Sequence, residues 1–420
     1  MTEKQKTELF NRVLTTEFPK AKLAGAERSV GLSVPDEVLD LGFDDRSVSS
    51  PGLRVGVTYY DYQANGRMNR QVDWRGGQLV HFTWMRALNT DLDALQRGTM
   101  YNFWDTYGTP PGFGFVDGLE VHPITVPSQG SYSGYCGLDV DTEEKVNISA
   151  HFNDALGYNT KLWYDFCAGC AGFSAYASVV PDSTQEWIAD PQNLDDFEYI
   201  WPNHEYQVWD GDTVTHVFAQ QWHDGIQPQI IAYFRRVGSD TLGAWDHPPI
   251  VIDTVMDIAQ TVTASRVSGR VALVWIAGLA AVPGGSESVD RGSQVVNDVY
   301  YVMSEDMGGT WGASPPALDK VNITDSDSSQ AGWRAHTDIS ALIGTDDKLH
   351  IIWDAREYSP TPPPNGSFPH ANGCRMFHWD ETHPDEVRVI KDANWDLPPT
   401  GSCSGGAWNG MSIVKMQISE

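Results

Sequence analysis

The sequence has no run of about 18 apolar residues, so nothing in it reads as a membrane-spanning helix. Its first residues, Met1 to Val13, carry charges and lack the apolar stretch of an export signal. The chain is therefore expected either to stay in the cytoplasm or to have lost a leader. Positive charge is scarce: 28 Lys and Arg stand against 56 Asp and Glu, a formal net charge of -28. A surface of that sign repels phosphate backbones and anionic bilayers, which argues against nucleic acids and membranes as partners. No phosphate loop, dinucleotide fingerprint or Gly-x-Ser-x-Gly elbow occurs. Cysteine is short as well: Cys136, Cys167, Cys170, Cys374 and Cys403 make five, so at least one has no intrachain partner. Cys167 and Cys170 have C-x-x-C spacing. Zinc would need four ligands, and no second such pair or paired His follows. A haem attachment would need His after Cys170, where Ala171 stands. A loop disulfide or two inert thiols is left, and no cofactor is expected from this motif.

Aromatics and glycine are plentiful, with 16 Trp, 16 Tyr and 39 Gly. With short apolar runs between turn signals, that composition predicts an all-β protein. Residues 1–52 differ from the rest: Thr7 to Phe18 suits a short amphipathic helix, and Pro19 to Pro51 reads as an irregular lead-in. From Leu53 to the end, 53–420, a unit recurs: a Gly or Asp turn, an apolar strand ending near an aromatic, a loop, and a second aromatic strand. The strand pairs are Leu79–Trp84 with Met100–Asp105, Val146–Phe152 with Lys161–Phe166, Val214–Trp222 with Gln229–Phe234, Val271–Trp275 with Val299–Met303, and Leu349–Asp354 with Arg375–Asp380. The markers Trp84, Phe152, Trp222, Trp275 and Trp353 are 68, 70, 53 and 78 residues apart. Each pair is expected to form the middle two strands of a four-stranded sheet. Glu144–Ser149 and Asp319–Thr324 echo one another, without implying equivalent strands. Turn-rich insertions at Thr106–Gly134, Ala280–Asn297 and Tyr358–Gly373 are expected to rim one face.

Directly after the fourth pair stands Ser304-Glu305-Asp306-Met307-Gly308-Gly309-Thr310-Trp311. An Asp carboxylate can accept the N–H groups of a tight turn, Gly can take φ > 0, Ser and Thr hydroxyls can tie the arms, and Trp buries a large area. Ser304, Asp306, Gly308, Thr310 and Trp311 at these offsets resemble the Asp-box, or BNR repeat, of sialidase-like β-propellers. The resemblance implies a β-propeller and a structural role for the box. Six blades are expected in plan, the last incomplete or closed by an N-terminal strand. Val55–Tyr62 would be the outer strand of the last blade and Gln71–Trp74 the start of the first. Met411–Ile418 would be the inner strand of the sixth, which makes the chain a fragment or a ring completed by another segment.

The sialidase family holds a carboxylate sugar with three arginines, and its hallmark Arg-Ile-Pro tripeptide is absent here. Arg70, Arg266 and Arg334 occupy plausible inner-strand positions. Any other glycosidase needs two carboxylates about 5–9.5 Å apart; Asp73, Asp139 and Asp338 lie on predicted inner strands, though turn capping is the plainer role for each. Asp139, Asp141 and Glu143 alternate on one strand face, so calcium is a possible ligand, with a solvated hairpin as the simpler reading. Arg70, Tyr135, His204, Arg334, His336 and Trp408, with Asp73, are candidates to line the channel mouth and bind a ligand, against simple packing around ordered water. The acceptor triplets at Asn147, Asn322 and Asn365 are too short to argue from. The sequence is thus read as a secreted or cell-surface, non-enzymatic propeller that binds carbohydrate or protein, with possible self-association or membership of a longer polypeptide. The competing reading is a glycoside hydrolase or lyase acting in the central pocket.

Overall fold

A computed structural model describes residues 53–59, 63, 69–87, 97–115, 118–121, 132–154, 157–173, 177–180, 198–222, 229–238, 245–246, 249–255, 259–278, 296–312, 318–327, 329–361, 374–392 and 417–419. Among these there is no α-helix, and 21 strands form five antiparallel sheets. Sheet 1 contains β1 (Val72–Asp73), β2 (Leu79–Ala87), β3 (Arg97–Asp105) and β4 (Gly112–Phe113), with β5 (Leu119–Glu120) also pairing to β3. Sheet 2 runs β6 (Tyr132–Val140), β7 (Val146–Asp154), β8 (Gly157–Tyr164), β9 (Ala177–Val180). Sheet 3 runs β10 (Glu198–Trp209), β11 (Asp212–Trp222), β12 (Gln229–Val237), β13 (Ile250–Val255). Sheet 4 runs β14 (Gln260–Ala264), β15 (Val271–Gly278), β16 (Asn297–Ser304), β17 (Val321–Asn322). Sheet 5 runs β18 (Gly332–Ile343), β19 (Leu349–Tyr358), β20 (Cys374–Asp380), β21 (Arg388–Asp392).

All five expected strand pairs are the second and third strands of their sheets, and the five markers all fall on second strands. The physical cause is visible in β15, which is buried from Val271 to Ala277. Side chains alternate across a strand. Val271, Leu273, Trp275 and Ala277 enter a core shared with Phe218, Ile231 and Tyr233 of sheet 3. Ala272, Val274 and Ile276 face the other way, into a core with Ile339, Ile351 and Trp353 of sheet 5. Two further cores join sheet 1 to sheet 2, through Tyr101, Leu138, Ile148 and Trp163, and sheet 2 to sheet 3, through Leu162, Val217 and Phe234. Each sheet is therefore stacked on the next in chain order, and the first strands β6, β10, β14 and β18 are consecutive neighbours.

Turn chemistry sets the register. Between β10 and β11, Asp210 and Gly211 both take positive φ, 51° and 85°, the conformation of a two-residue hairpin that Asp-Gly favours. At the end of the third strand an aspartate recurs. Asp105 accepts the N–H groups of Tyr107 (2.9 Å) and Gly108 (2.8 Å). Asp165 accepts those of Ala171 (2.7 Å) and Gly172 (3.0 Å), and Asp380 that of His383 (3.0 Å). Asp306 of the box accepts from Thr310 N–H (2.8 Å), Thr310 Oγ1 (2.9 Å) and Ser304 Oγ (2.7 Å). The box side chains thus make the bonds their types suggested, and Trp311 packs edge-on against Tyr233 of sheet 3 at 4.8 Å.

The remaining expectations meet the structure unevenly. The described part of Val55–Tyr62 forms no strand. It lies on sheet 1: Asn102 Nδ2 donates to Val55 O (2.8 Å) and Thr58 Oγ1 to Met85 O (3.0 Å). Gly56 sits where any Cβ would strike the Trp84 indole, which donates to Val57 O at 3.2 Å. Gln71–Trp74 does open sheet 1, through β1. Val146 starts a second strand whereas Val321 is in a fourth, so the two echoes are not equivalent. Gln417–Ser419 is not strand; Ile418 N–H donates to Ser340 Oγ of β18 (3.2 Å), and 411–416 lies outside the described residues, as do 1–52, Trp408 and nearly all of the second and third insertions. Five sheets, and no sixth, occur among the described residues.

Candidate functional site

The first strands of sheets 1, 2 and 3 meet in a buried ionic cluster. Arg70 stands just before β1, held by Leu138 N–H donating to its carbonyl (2.8 Å). Its guanidinium donates to Asp139 Oδ1 on β6 (2.8 Å) and, with both terminal nitrogens, to Glu205 on β10 (3.4 and 3.0 Å). Arg75, in the β1–β2 turn, reaches Asp73 through Nε (3.2 Å) and also bonds Asp139. Asp73 Oδ2 accepts Val140 N–H (3.2 Å), and Asp139 Oδ2 accepts Tyr206 N–H. Forked guanidinium–carboxylate pairs of this kind fix geometry as well as charge.

Three carboxylates face two guanidiniums, so full ionisation would leave one excess negative charge beneath the surface. Burial pushes Glu205 up to about 7, with Asp139 adding to it against the pull of Arg70 and Arg75. Asp73 is also raised, by burial and then by the charge of Asp139. Burial acts the same way on Asp139, but the two arginines outweigh it and hold Asp139 well below the usual carboxylate range. For Arg70, burial pulls down while Glu205, Asp139 and Asp73 more than compensate, so it remains charged. The cluster therefore separates one firmly ionised carboxylate from one that titrates near neutrality.

Beside the cluster is a cavity of about 660 Å³. Arg70, Asp73, Trp74 and Arg75 form one wall; Arg266 after β14, Leu342 of β18 and Gln417–Ser419 form the others. Trp74 is 55% exposed and is steadied by its Nε1 donating to Gly77 O (3.0 Å). Asp139 and Glu205 lie under the floor rather than on it.

Of the predicted site residues, Arg70 and Asp73 belong here, as does Arg266 of the arginines weighed above. The others are elsewhere. Tyr135 is the left-handed residue (φ 52°) of a bulge in β6, packed with Met85, Ile200 and Trp201 and stacked under Arg97. Trp201 repeats that conformation (φ 51°) at the bulge of β10. His204 faces Ser149 Oγ (2.7 Å), with burial lowering its pKa to about 4. Arg334 donates to the carbonyls of Asp327 (2.8 Å), Gln330 (2.9 Å) and Trp333 (3.0 Å), which holds the chain before β18. His336 lies 3.3 Å from Asp354, whose other oxygen accepts Thr337 and Asp338 N–H in the β18 bulge. Arg334 and Asp354 thus supply partners to backbone C=O and N–H groups that irregular or bulged chain leaves open, while His204 and His336 meet the side chains of Ser149 and Asp354. Asp139, Asp141 and Glu143 turn to different partners: the arginines, the Glu143 and Lys145 N–H groups, and the Lys145 ammonium.

Arg75, Glu205 and Trp74 were not singled out by sequence. Glu205 directly follows the candidate His204, and Arg75 and Trp74 fill the turn after β1. Alternation alone would have placed Asp73 and Arg75 on one face.

No family model and no curated protein matches the chain. Among solved structures it is similar to a thermostable family-43 glycoside hydrolase (13% identity, 79% of this chain and 95% of that one, TM-score 0.37). It is also similar to the polysaccharide lyase Uly1 (12%, 83% and 77%, TM-score 0.41) and to a Hadza microbial sialidase (10%, 76% and 57%, TM-score 0.39). Likenesses this distant carry no argument about what this chain does.

Proposed function

We propose that the five sheets close into a five-bladed β-propeller and that its central cavity binds a carbohydrate without cleaving it. Closure is supported by the cavity itself, where Leu342 of sheet 5 and Gln417–Ser419 come to the same space as Arg70–Gly76 of sheet 1. The observation that carries the ligand class is the exposed Trp74 indole beside the guanidiniums of Arg70, Arg75 and Arg266. An indole face takes the C–H side of a sugar ring, and planar N–H donors take its hydroxyls.

Binding is preferred over hydrolysis because Asp73 is the one carboxylate among the described residues that line the cavity, with Asp139 and Glu205 beneath its floor, whereas a glycosidase works with two at the sugar. One observation favours the second reading, a glycoside hydrolase or lyase: Glu205, pushed up to about 7 beside ionised Asp139, has the separated acidities of an acid–base pair.

Calorimetric titration with neutral and acidic oligosaccharides tests the first reading, with Trp74→Ala expected to weaken binding at least tenfold. Affinity unchanged in Trp74→Ala would overturn it. Turnover of aryl-glycosides or polysaccharides, lost in Glu205→Gln, would replace it with the enzyme reading.

A further inference from the structure

The turn after β8 carries chemistry that sugar binding does not use. Cys167 and Cys170 are joined by a disulfide across Ala168 and Gly169, with Cys170 N–H donating to Cys167 O at 3.2 Å. Cys170 is exposed and Cys167 half-buried, whereas Cys136 and Cys374, which are in no disulfide among the described residues, are buried. The turn does not depend on the disulfide for its shape. The buried Asp165 carboxylate accepts the Ala171 and Gly172 N–H groups just beyond it (2.7 and 3.0 Å). Phe173 anchors the far side edge-on to Tyr101 of sheet 1 at 5.0 Å, and Gly169 lies against Leu79 and Phe103.

A disulfide spanning two residues restrains the unfolded chain little, since the stabilisation grows with loop length. C-x-x-C spacing also lowers thiol pKa and favours exchange. A surface disulfide that the fold does not need, on a turn held by other bonds, is suited to chemistry rather than to stapling.

We propose that Cys167–Cys170 is a thiol–disulfide exchange site for low-molecular-weight thiols of the glutathione type. An external thiolate attacks Cys170 Sγ; the Cys167–Cys170 bond breaks, and Cys167 leaves as a thiolate that is protonated from water. A second thiolate attacks the external sulfur of the mixed disulfide and releases Cys170, which takes a proton in turn. Two external thiols are oxidised to their disulfide and the protein disulfide is reduced to a dithiol.

The full chain is equilibrated across a series of reduced-to-oxidised glutathione ratios, quenched with N-ethylmaleimide and peptide-mapped. Cys167 and Cys170 are expected to become labelled together over one range of ratios and to be re-oxidised when the ratio is reversed. The near-ultraviolet circular dichroism should hold and Cys136 and Cys374 should stay unlabelled. A pair that stays oxidised until denaturant is added, or a fold that collapses when the pair is reduced, would overturn the proposal. Cys167→Ser provides the second arm. With oxidised glutathione its Cys170 should gain one adduct; a Cys170 that alkylates readily yet takes no adduct would also count against exchange.

Discussion

The turns at Asp165 and Asp306 do the same structural work with different chemistry. Each follows the third strand of its sheet, and each carboxylate accepts the N–H groups of the reversal. Each turn then sends an aromatic back onto the preceding sheet: Phe173 to Tyr101 at 5.0 Å, Trp311 to Tyr233 at 4.8 Å. Behind them, Tyr101 bonds His81 (2.8 Å) and Tyr233 bonds His216 (2.7 Å). So the contact between sheets 1 and 2 repeats the one between sheets 3 and 4. At Asp306 the arms are tied by the Ser304 and Thr310 hydroxyls; at Asp165 the Cys167–Cys170 bridge spans the loop instead. The environments differ too. Burial dominates at Asp165 and raises its pKa, while at Asp306 burial is outweighed by its hydrogen bonds and the pKa falls. One unit, placed twice, is mostly buried in one place and mostly wet in the other.

Removing the aromatic is the strongest way to break the correspondence. Phe173 is 0% exposed and Trp311 3% exposed. Truncation of a buried ring of this size costs about 3–5 kcal/mol. Phe173→Ala and Trp311→Ala should therefore each lower the stability measured by urea unfolding by about that amount. Their effects should add, because the two contacts belong to separate cores. If one variant costs less than about 1 kcal/mol, the two turns are not the same element.

The carboxylates come next. Asp165→Ala leaves the N–H groups of Ala171 and Gly172 without their acceptor in a turn packed between sheets, a loss on the order of 3 kcal/mol. At Asp306→Ala water can reach the Thr310 N–H, so the loss should be about 1 kcal/mol. Thermal unfolding of the two variants checks the order; equal losses would show that burial does not separate these turns.

The Asp306 turn was legible because its residues stand at motif offsets, so the chemistry could be read one side chain at a time. The Asp165 turn was hidden. Its ties are the Ala171 and Gly172 N–H groups on Asp165 and an aromatic at Phe173, three residues farther from its Asp than Trp311 is from Asp306, and no local pattern announces that spacing. The middle strands were legible for a related reason: two inter-sheet cores demand apolar residues on both faces, as in β15. First strands such as β10 and β18 carry polar residues and bulges, so His204, Arg334 and His336 resembled ligand groups, while Arg334 binds backbone carbonyls and the two histidines face the side chains of Ser149 and Asp354. The ionic cluster depends on three sheets meeting, which is information no single stretch of chain contains.

Acid titration gives the smallest effect, with opposite sign at the two turns. The folded-state pKa of Asp306 lies below its unfolded value near 3.8, so its contribution is present above that pH and is lost as pH falls through the lower folded value. The folded-state pKa of Asp165 lies above the same reference, so the folded form takes up a proton first, and stability rises as pH falls through that raised value toward 3.8. Measured as wild type minus variant, stability relative to Asp306→Asn should fall only below about pH 4, while stability relative to Asp165→Asn should rise on acidification from neutrality toward pH 4. Chemical unfolding at several pH values from 3 to 7 distinguishes the two curves. If both differences slope the same way, hydrogen bonding rather than burial governs both carboxylates, and the contrast between the buried and the wet turn does not hold.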